Sequence, residues 1–281
     1  MYDATLPYEP DAAAPALQRG RGLAEIGFAR RGGRSVLQHL YQRTPCRVLF
    51  PDAEGDVPLA VLLTTSGGLT GGDTVAVRVA VEEEAAACVT TQAAEKLYRS
   101  LGADTRVEVQ LAVGAGASLE YLPQETILFD GARLSRRTTI DVAPGGRFLG
   151  AEMLAFGRVA RGEILRSGRL LESWRVRRAE KLVWYDALAL EGAIAEEIRD
   201  PFTFGGAEAM ATALYVGSDA ERLLPCARAL AEGAASLVNG VLVVRLFGSP
   251  AAQVRAELVR FLVGLRQEAG LGPHLPRLWN T

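Results

Sequence analysis

Four short segments hold most of the residues that could do chemistry. The first, Gly67-Gly68-Leu69-Thr70-Gly71-Gly72-Asp73, packs four glycines and a carboxylate between an apolar stretch, Leu59–Leu63, and an alternating run, Val75–Val81. Glycines permit positive φ and close backbone approach, as a tight loop around a small ligand requires. A phosphate loop would end in Gly-Lys-Ser/Thr and open a helix, whereas a strand pattern follows here, so nucleotide binding is disfavoured. The plainer reading is a hairpin connection with Asp73 capping the turn. The second, Thr90–Ser100, carries Lys96 beside Glu95, Tyr98 and Arg99, suited to an anion or partner contact or to a solvated turn with paired charges. The third runs from Leu122 to Ala132 and includes Glu125 and Asp130. In the fourth, Gly157–Glu163, Arg158 and Arg161 precede Glu163; such cations lower a carboxyl pKa and keep it ionised, and a structural ion pair explains them equally well.

Familiar catalytic arrangements are missing. His39 and His274 are the only histidines and neither has metal-type spacing, and no G-x-S-x-G elbow occurs. Cys46, Cys88 and Cys226 are odd in number and far apart, against a disulfide scaffold or thiolate zinc site and in keeping with a reducing compartment. Cys88 and Cys226 lie in apolar surroundings and read as core residues.

The elements that must position these segments are mostly strands. Val75, Val77, Val79 and Val81 alternate with smaller or polar residues, as do Val107, Val109, Leu111 and Val113. Fainter alternation at 118–122, 137–142, 163–166, 169–177 and 181–186, with glycine pairs between, predicts a large antiparallel β structure. The C-terminal quarter changes period. Leu223, Leu224, Ala227, Leu230 and Ala231 share a helical face after Ser218-x-x-Glu221, a capping-box pattern, with Pro225 either kinking that helix or sitting in the first turn of a later one. A strand at Val241–Phe247 follows, then Ser249-Pro250 opens a second helix presenting Val254, Leu258, Phe261, Leu262 and Leu265, stopped by Gly270.

The 281 residues carry 31 basic and 33 acidic side chains, a net charge of −2, and 49% hydrophobic residues. This is average globular composition, unlike a disordered chain, and its balance argues against a nucleic-acid or membrane-surface binder. Of the basic residues 29 are Arg, with Lys96 and Lys181 the exceptions, which reads as coding bias before functional choice. The expected organisation is a flexible tail over residues 1–18 and a single domain over 19–281. The acidic, Pro-rich start does not read as a signal peptide, no run approaches the ~20 apolar residues of a membrane span, and a cytoplasmic location is expected.

Taken in order, GGLTGGD at 67–73, TTQAAEKLYRS at 90–100, LEYLPQETILFDGA at 119–132, GRVARGE at 157–163 and PRLWNT at 276–281 resemble the urease accessory protein D family (UreD, called UreH in some organisms). The resemblance runs from about Gly22 to the last residue; Glu95 departs from it, standing where a small residue or Thr is expected. It implies a mainly β, β-helix-like body with two C-terminal-region helices. It also implies a non-enzymatic scaffold and nickel chaperone that binds accessory proteins F and G (the GTPase) and apourease. Ni²⁺ would be bound transiently and no cofactor tightly. Asp73 and Glu163, with Asp130 as a third, would line the metal path, Arg158 or Arg161 holding the loop. Carboxylates suit passage because they hold Ni²⁺ less tightly than imidazole or thiolate and are ionised at neutral pH. Two alternatives stand beside this: a metal-dependent hydrolase using Asp73, Asp130 and Glu163 with His39, and an assembly adaptor that never contacts nickel.

Overall fold

A computed structural model describes residues 18–51 and 57–280; of the predicted tail at 1–18, residues 1–17 lie outside them. The chain opens with a hairpin, β1 (Arg21–Arg31) and β2 (Arg34–Arg43), followed by β3 (Cys46–Leu49). It then winds through β4 (Leu59–Thr64), β5 (Thr74–Val81), β6 (Ala86–Thr91), β7 (Glu95–Leu97), β8 (Thr105–Val113), β9 (Ser118–Leu122), β10 (Thr126–Leu128), β11 (Arg133–Val142), β12 (Arg147–Phe156) and β13 (Gly168–Arg178). A second hairpin strand, β14 (Lys181–Gly192), leads to a short helix α1 (Ile194–Arg199). Then come β15 (Ala209–Val216), α2 (Ala220–Leu230), β16 (Ala235–Val238), β17 (Val241–Gly248) and α3 (Ala251–Glu268).

The winding builds two facing sheets. One, of seven strands, runs β14-β13-β11-β8-β5-β1-β2; the other, of ten, runs β16-β17-β15-β12-β9-β6-β4-β3, with β7 and β10 at its side. Successive coils stack in register: Leu59 lies beside Cys88, Cys88 beside Glu120, and Glu120 beside Leu149. The body is therefore mainly β and solenoid-like, as expected. Its direction differs from the prediction. The coiled strands pair in parallel (β1–β5, β5–β8, β8–β11, β11–β13, and β4–β6–β9–β12), and antiparallel pairing is confined to the strands around them. Alternation reports which face is buried and nothing about direction, so period two could not distinguish a coil from a hairpin array.

Between the sheets the inward residues Phe28, Val79, Leu111, Leu119 and Phe148 form one core. A second core lies on the other side of the ten-stranded sheet, where Leu149, Met153 and Tyr215 meet Leu223, Phe261 and Leu265 of the helices. Strands between two cores are buried on both faces, which is why 118–122 alternates so faintly: all of β9 is buried. The α3 face matches the predicted one, and Gly270, at φ +68°, follows its end. Helix α2 runs through Pro225, and the Ser218–Glu221 box does not form; Asp219 is the N-cap residue and accepts the Tyr215 hydroxyl at 2.6 Å. Residues 163–166 are not a strand but part of a loop with a 3₁₀ turn at Val159–Arg161, and Cys226 is only half-buried. Among the described residues no helix is long and apolar enough to cross a membrane.

Candidate functional site: a stacked loop ridge

Where each coil passes from the ten-stranded sheet to the seven-stranded one, one rung of a ladder appears. Leu69 bridges Leu97, Leu97 pairs with Leu128, and Leu128 with Phe156; all four are 3% exposed or less. This ladder brings the four chemistry-bearing segments side by side. One residue further out, the Tyr98 and Phe129 rings meet edge-on at 4.9 Å, and the Arg158 guanidinium covers Phe129 at 4.1 Å. The Tyr98 hydroxyl donates to the Gly67 carbonyl at 2.9 Å.

Asp73 is 7% exposed and caps its own turn, as the plainer sequence reading had it, but the loop is not the hairpin connection of that reading: it joins β4 of the ten-stranded sheet to β5 of the seven-stranded one. Its Oδ2 accepts the Thr70 N–H at 2.9 Å, and its Oδ1 accepts the Gly20 N–H at 2.8 Å, tying the approach to β1 onto the loop. Gly71 has no alternative: a Cβ there would stand 1.8 Å from Ser100 Oγ and 2.4 Å from the Ala103 carbonyl. The Thr70 hydroxyl donates to the Arg99 carbonyl at 3.1 Å, and the Arg99 guanidinium reaches Asp130 at 3.0 Å, so the first loop is linked to the third.

Asp130 and Glu163 sit in one cluster. Asp130 Oδ1 accepts the N–H groups of Arg166 and Ser167 at 3.0 and 3.1 Å. Glu163 Oε1 accepts the Asp130 N–H at 3.0 Å, while Oε2 takes the fork of Arg158. Of the two arginines considered, Arg158 is therefore the one that holds Glu163. Its hydrogen bond is the main reason the Glu163 carboxyl lies below its ordinary value, against a smaller effect of burial. Burial would raise the Asp130 carboxyl, but the two amides and Arg99 together hold it below the usual range.

His39 does not join these carboxylates. It lies opposite Gly27 on the β1–β2 hairpin, while Asp73 precedes Thr74, which lies beside Arg21; at a strand rise of about 3.3 Å per residue the separation is roughly 20 Å. Among the described residues no group of three or more His, Cys, Asp or Glu side chains could hold a metal ion.

Behind the ridge a cavity of about 260 Å³ opens between the sheets. Glu95 lines it, accepting the Thr64 hydroxyl at 3.0 Å, its carboxyl pushed up by burial. The wall includes Cys46, whose thiol burial raises to about 11, and Arg136, gripped between Glu152 at 2.9 Å and Glu172. That buried charge group escaped the sequence reading. Its signal was parity: Arg136 shares the inward positions of β11 with Leu134, Thr138 and Ile140.

The family model described as "UreD urease accessory protein" matches residues 20–280. Relatives named Urease accessory protein UreD include those of Magnetococcus marinus (42% identical, 99% of this chain, 98% of the relative) and Azorhizobium caulinodans (42%, 95% and 99%). That of a Methylobacterium species is 41% identical over 97% of this chain and 99% of its own. With a model match spanning both sheets, the helices and every rung of the ridge, the chain belongs to the UreD family of urease accessory proteins.

Proposed function

We propose that the protein serves urease maturation in the cytoplasm as a docking scaffold. It would bind accessory proteins F and G and apourease, Ni²⁺ passing to the urease active site in the assembly and being held only transiently. The supporting observation is the ridge. Four distant segments are brought into line, and their polar groups are spent on fixing one another, which is the preorganisation a docking surface requires. Exposed apolar side chains stand in or beside it: Tyr98, Leu101, Ile164 and Phe202, the last 96% exposed. Phe204, two residues on, packs against Phe156 of the ladder at 5.4 Å. Large exposed aromatic and aliphatic groups with arginines among them are the usual anchors of protein interfaces.

Asp73, Asp130 and Glu163 each keep lone pairs beyond their present hydrogen bonds, since a carboxylate offers about four acceptor positions. A passing Ni²⁺ meeting them would compete with amides and guanidinium, favouring brief contact over storage. The same occupancy favours a second reading, an adaptor whose carboxylates hold loops and never touch nickel.

The test is urease activity and bound nickel in cells expressing the apourease subunits and accessory proteins F and G, with and without this chain. Loss of nickel loading without it supports the scaffold role; unchanged loading, with the chain expressed and folded when present, refutes it. The double variant Asp73→Ala, Glu163→Ala then separates the readings. If it is folded and still captures its partners, lost nickel loading favours the metal path, and retained loading the adaptor.

A further inference from the structure

The seven-stranded sheet ends on an unfinished edge. β2 pairs with β1 alone, and the backbone groups on its other side, from Arg34 to Arg43, meet no strand among the described residues. Eight of its ten residues are exposed, among them Val36, Leu37, Leu40 and Tyr41 at 37–47%. This ten-residue edge carries no Lys or Pro; Arg34 and Arg43 stand only at its ends, and a single register shift interrupts it.

Among the described residues the solenoid is also open at this end. Leu37 lies opposite Phe28 and Leu40 opposite Ile26, so both face the core side of the sheet, where Phe28 and Ile26 are 0% and 2% exposed. The register shift at Gly27/Phe28 leaves Gln38 as the extra residue and lets two leucines three apart share that face. The facing sheet ends there in β3, only four residues long, and the two leucines remain about 40% exposed. In coiled folds an end of this kind is normally closed by a polar cap.

The sequence of β2 supplies the cover. Laid against itself in the opposite direction, Arg-Ser-Val-Leu-Gln-His-Leu-Tyr-Gln-Arg sets Leu37 against Leu40, Val36 against Tyr41 and Ser35 against Gln42. Antiparallel partners share a face, and the register shift places each of these pairs on one: leucines toward the core, Val36 and Tyr41 outward. Only Arg34 against Arg43, at the ends, is unfavourable, and both are exposed to solvent.

We propose that β2 is the pairing edge of a twofold homodimer of this chain. Two β2 strands run antiparallel about the Gln38–His39 step, join the seven-stranded sheets of both copies, and let each copy's Leu37 and Leu40 close the other's open end. The contact is isologous, so association stops at two copies.

The test is the mass of the purified full chain by sedimentation velocity and light scattering from 1 to 100 µM. The expected result is a shift from one-chain to two-chain mass with rising concentration. Leu40→Lys and, on the outer face, Tyr41→Lys each weaken dimerisation at least tenfold; Leu182→Lys, at an exposed position of the opposite edge strand β14, leaves it unchanged. Circular dichroism confirms that each variant is folded, Tyr41→Lys standing in if Leu40→Lys is not. A chain that stays monomeric, association beyond two copies, or a dimer that survives Tyr41→Lys or is lost in Leu182→Lys overturns the proposal.

Discussion

Asp73→Ala removes two hydrogen bonds to a charged acceptor, at 2.8 and 2.9 Å, from a site 7% exposed. Such bonds are worth about 1.5–3 kcal/mol each, and the released N–H groups of Gly20 and Thr70 are only half-buried, so water recovers part of the loss. The low end of the sum, about 3 kcal/mol, is the expected cost, and for a chain of this size it lowers Tm by roughly 6–12 °C. Asp73→Asn keeps one acceptor but turns an NH₂ toward the second amide, so it should fall between wild type and Ala. The assay is thermal unfolding by circular dichroism, paired with urease activation in cells at a low and a high growth temperature. If Asp73 is an anchor, activation by the Ala variant returns at the low temperature. A variant that melts within about 2 °C of wild type yet loads no nickel at either temperature would refute the anchoring argument.

Gly71→Ala should give little folded protein, because the new Cβ falls inside contact distance of Ser100 and a backbone carbonyl; soluble expression and melting would show it. Glu120→Gln strips the charge partner from Arg266, which is 7% exposed and bonded to Glu120 at 2.5 and 3.1 Å; a loss of about 3–5 kcal/mol in urea unfolding is expected. The Asp130 and Glu163 carboxyls are held below their ordinary values, so their contribution is complete only above those ordinary values, from about pH 5 up, and disappears as pH falls through the lower folded values. Hydrogen-exchange protection of the Asp130 amide, corrected for intrinsic rates, should fall in that acid window, and Glu163→Gln should flatten the profile. Glu95 has the opposite sign: burial raises its carboxyl, so its ionisation opposes folding as pH rises above the ordinary carboxylate value. Glu95→Gln should therefore raise Tm at pH 8 more than at pH 5.

Where single residues carried the information, the sequence was readable. Asp73 at the end of a glycine-rich turn announced a cap, and Arg158 near Glu163 announced an ion pair, because both partners lie within a few residues. The inward valines of β5 and β8 were equally plain. What joins the pieces was not readable, since the Asp130 amide meets Glu163, 33 positions away, only through the stacking of coils. Strand direction is likewise a property of the winding and leaves no mark on alternation. The helix Ile194–Arg199 is too short to display a period, and Arg136 hid among arginines that composition alone makes common.

The ten-stranded sheet has a consequence for the order in which the chain can fold. Its middle strands β9 and β12 are buried from behind by helices that begin only at Ala220 and Ala251, and its last polar contacts are later still. The Trp279 indole N–H donates to Thr90 Oγ1 and the Leu122 carbonyl, and Gln124 Nε2 donates to the Leu278 carbonyl across 154 positions. Until those residues leave the ribosome, the apolar back of β9 and β12 has nothing to lie against. Such distant closures are slow and leave emerging chains prone to association. Synthesis of the final helix, and not of the first coils, sets the moment at which this protein becomes safe from its neighbours.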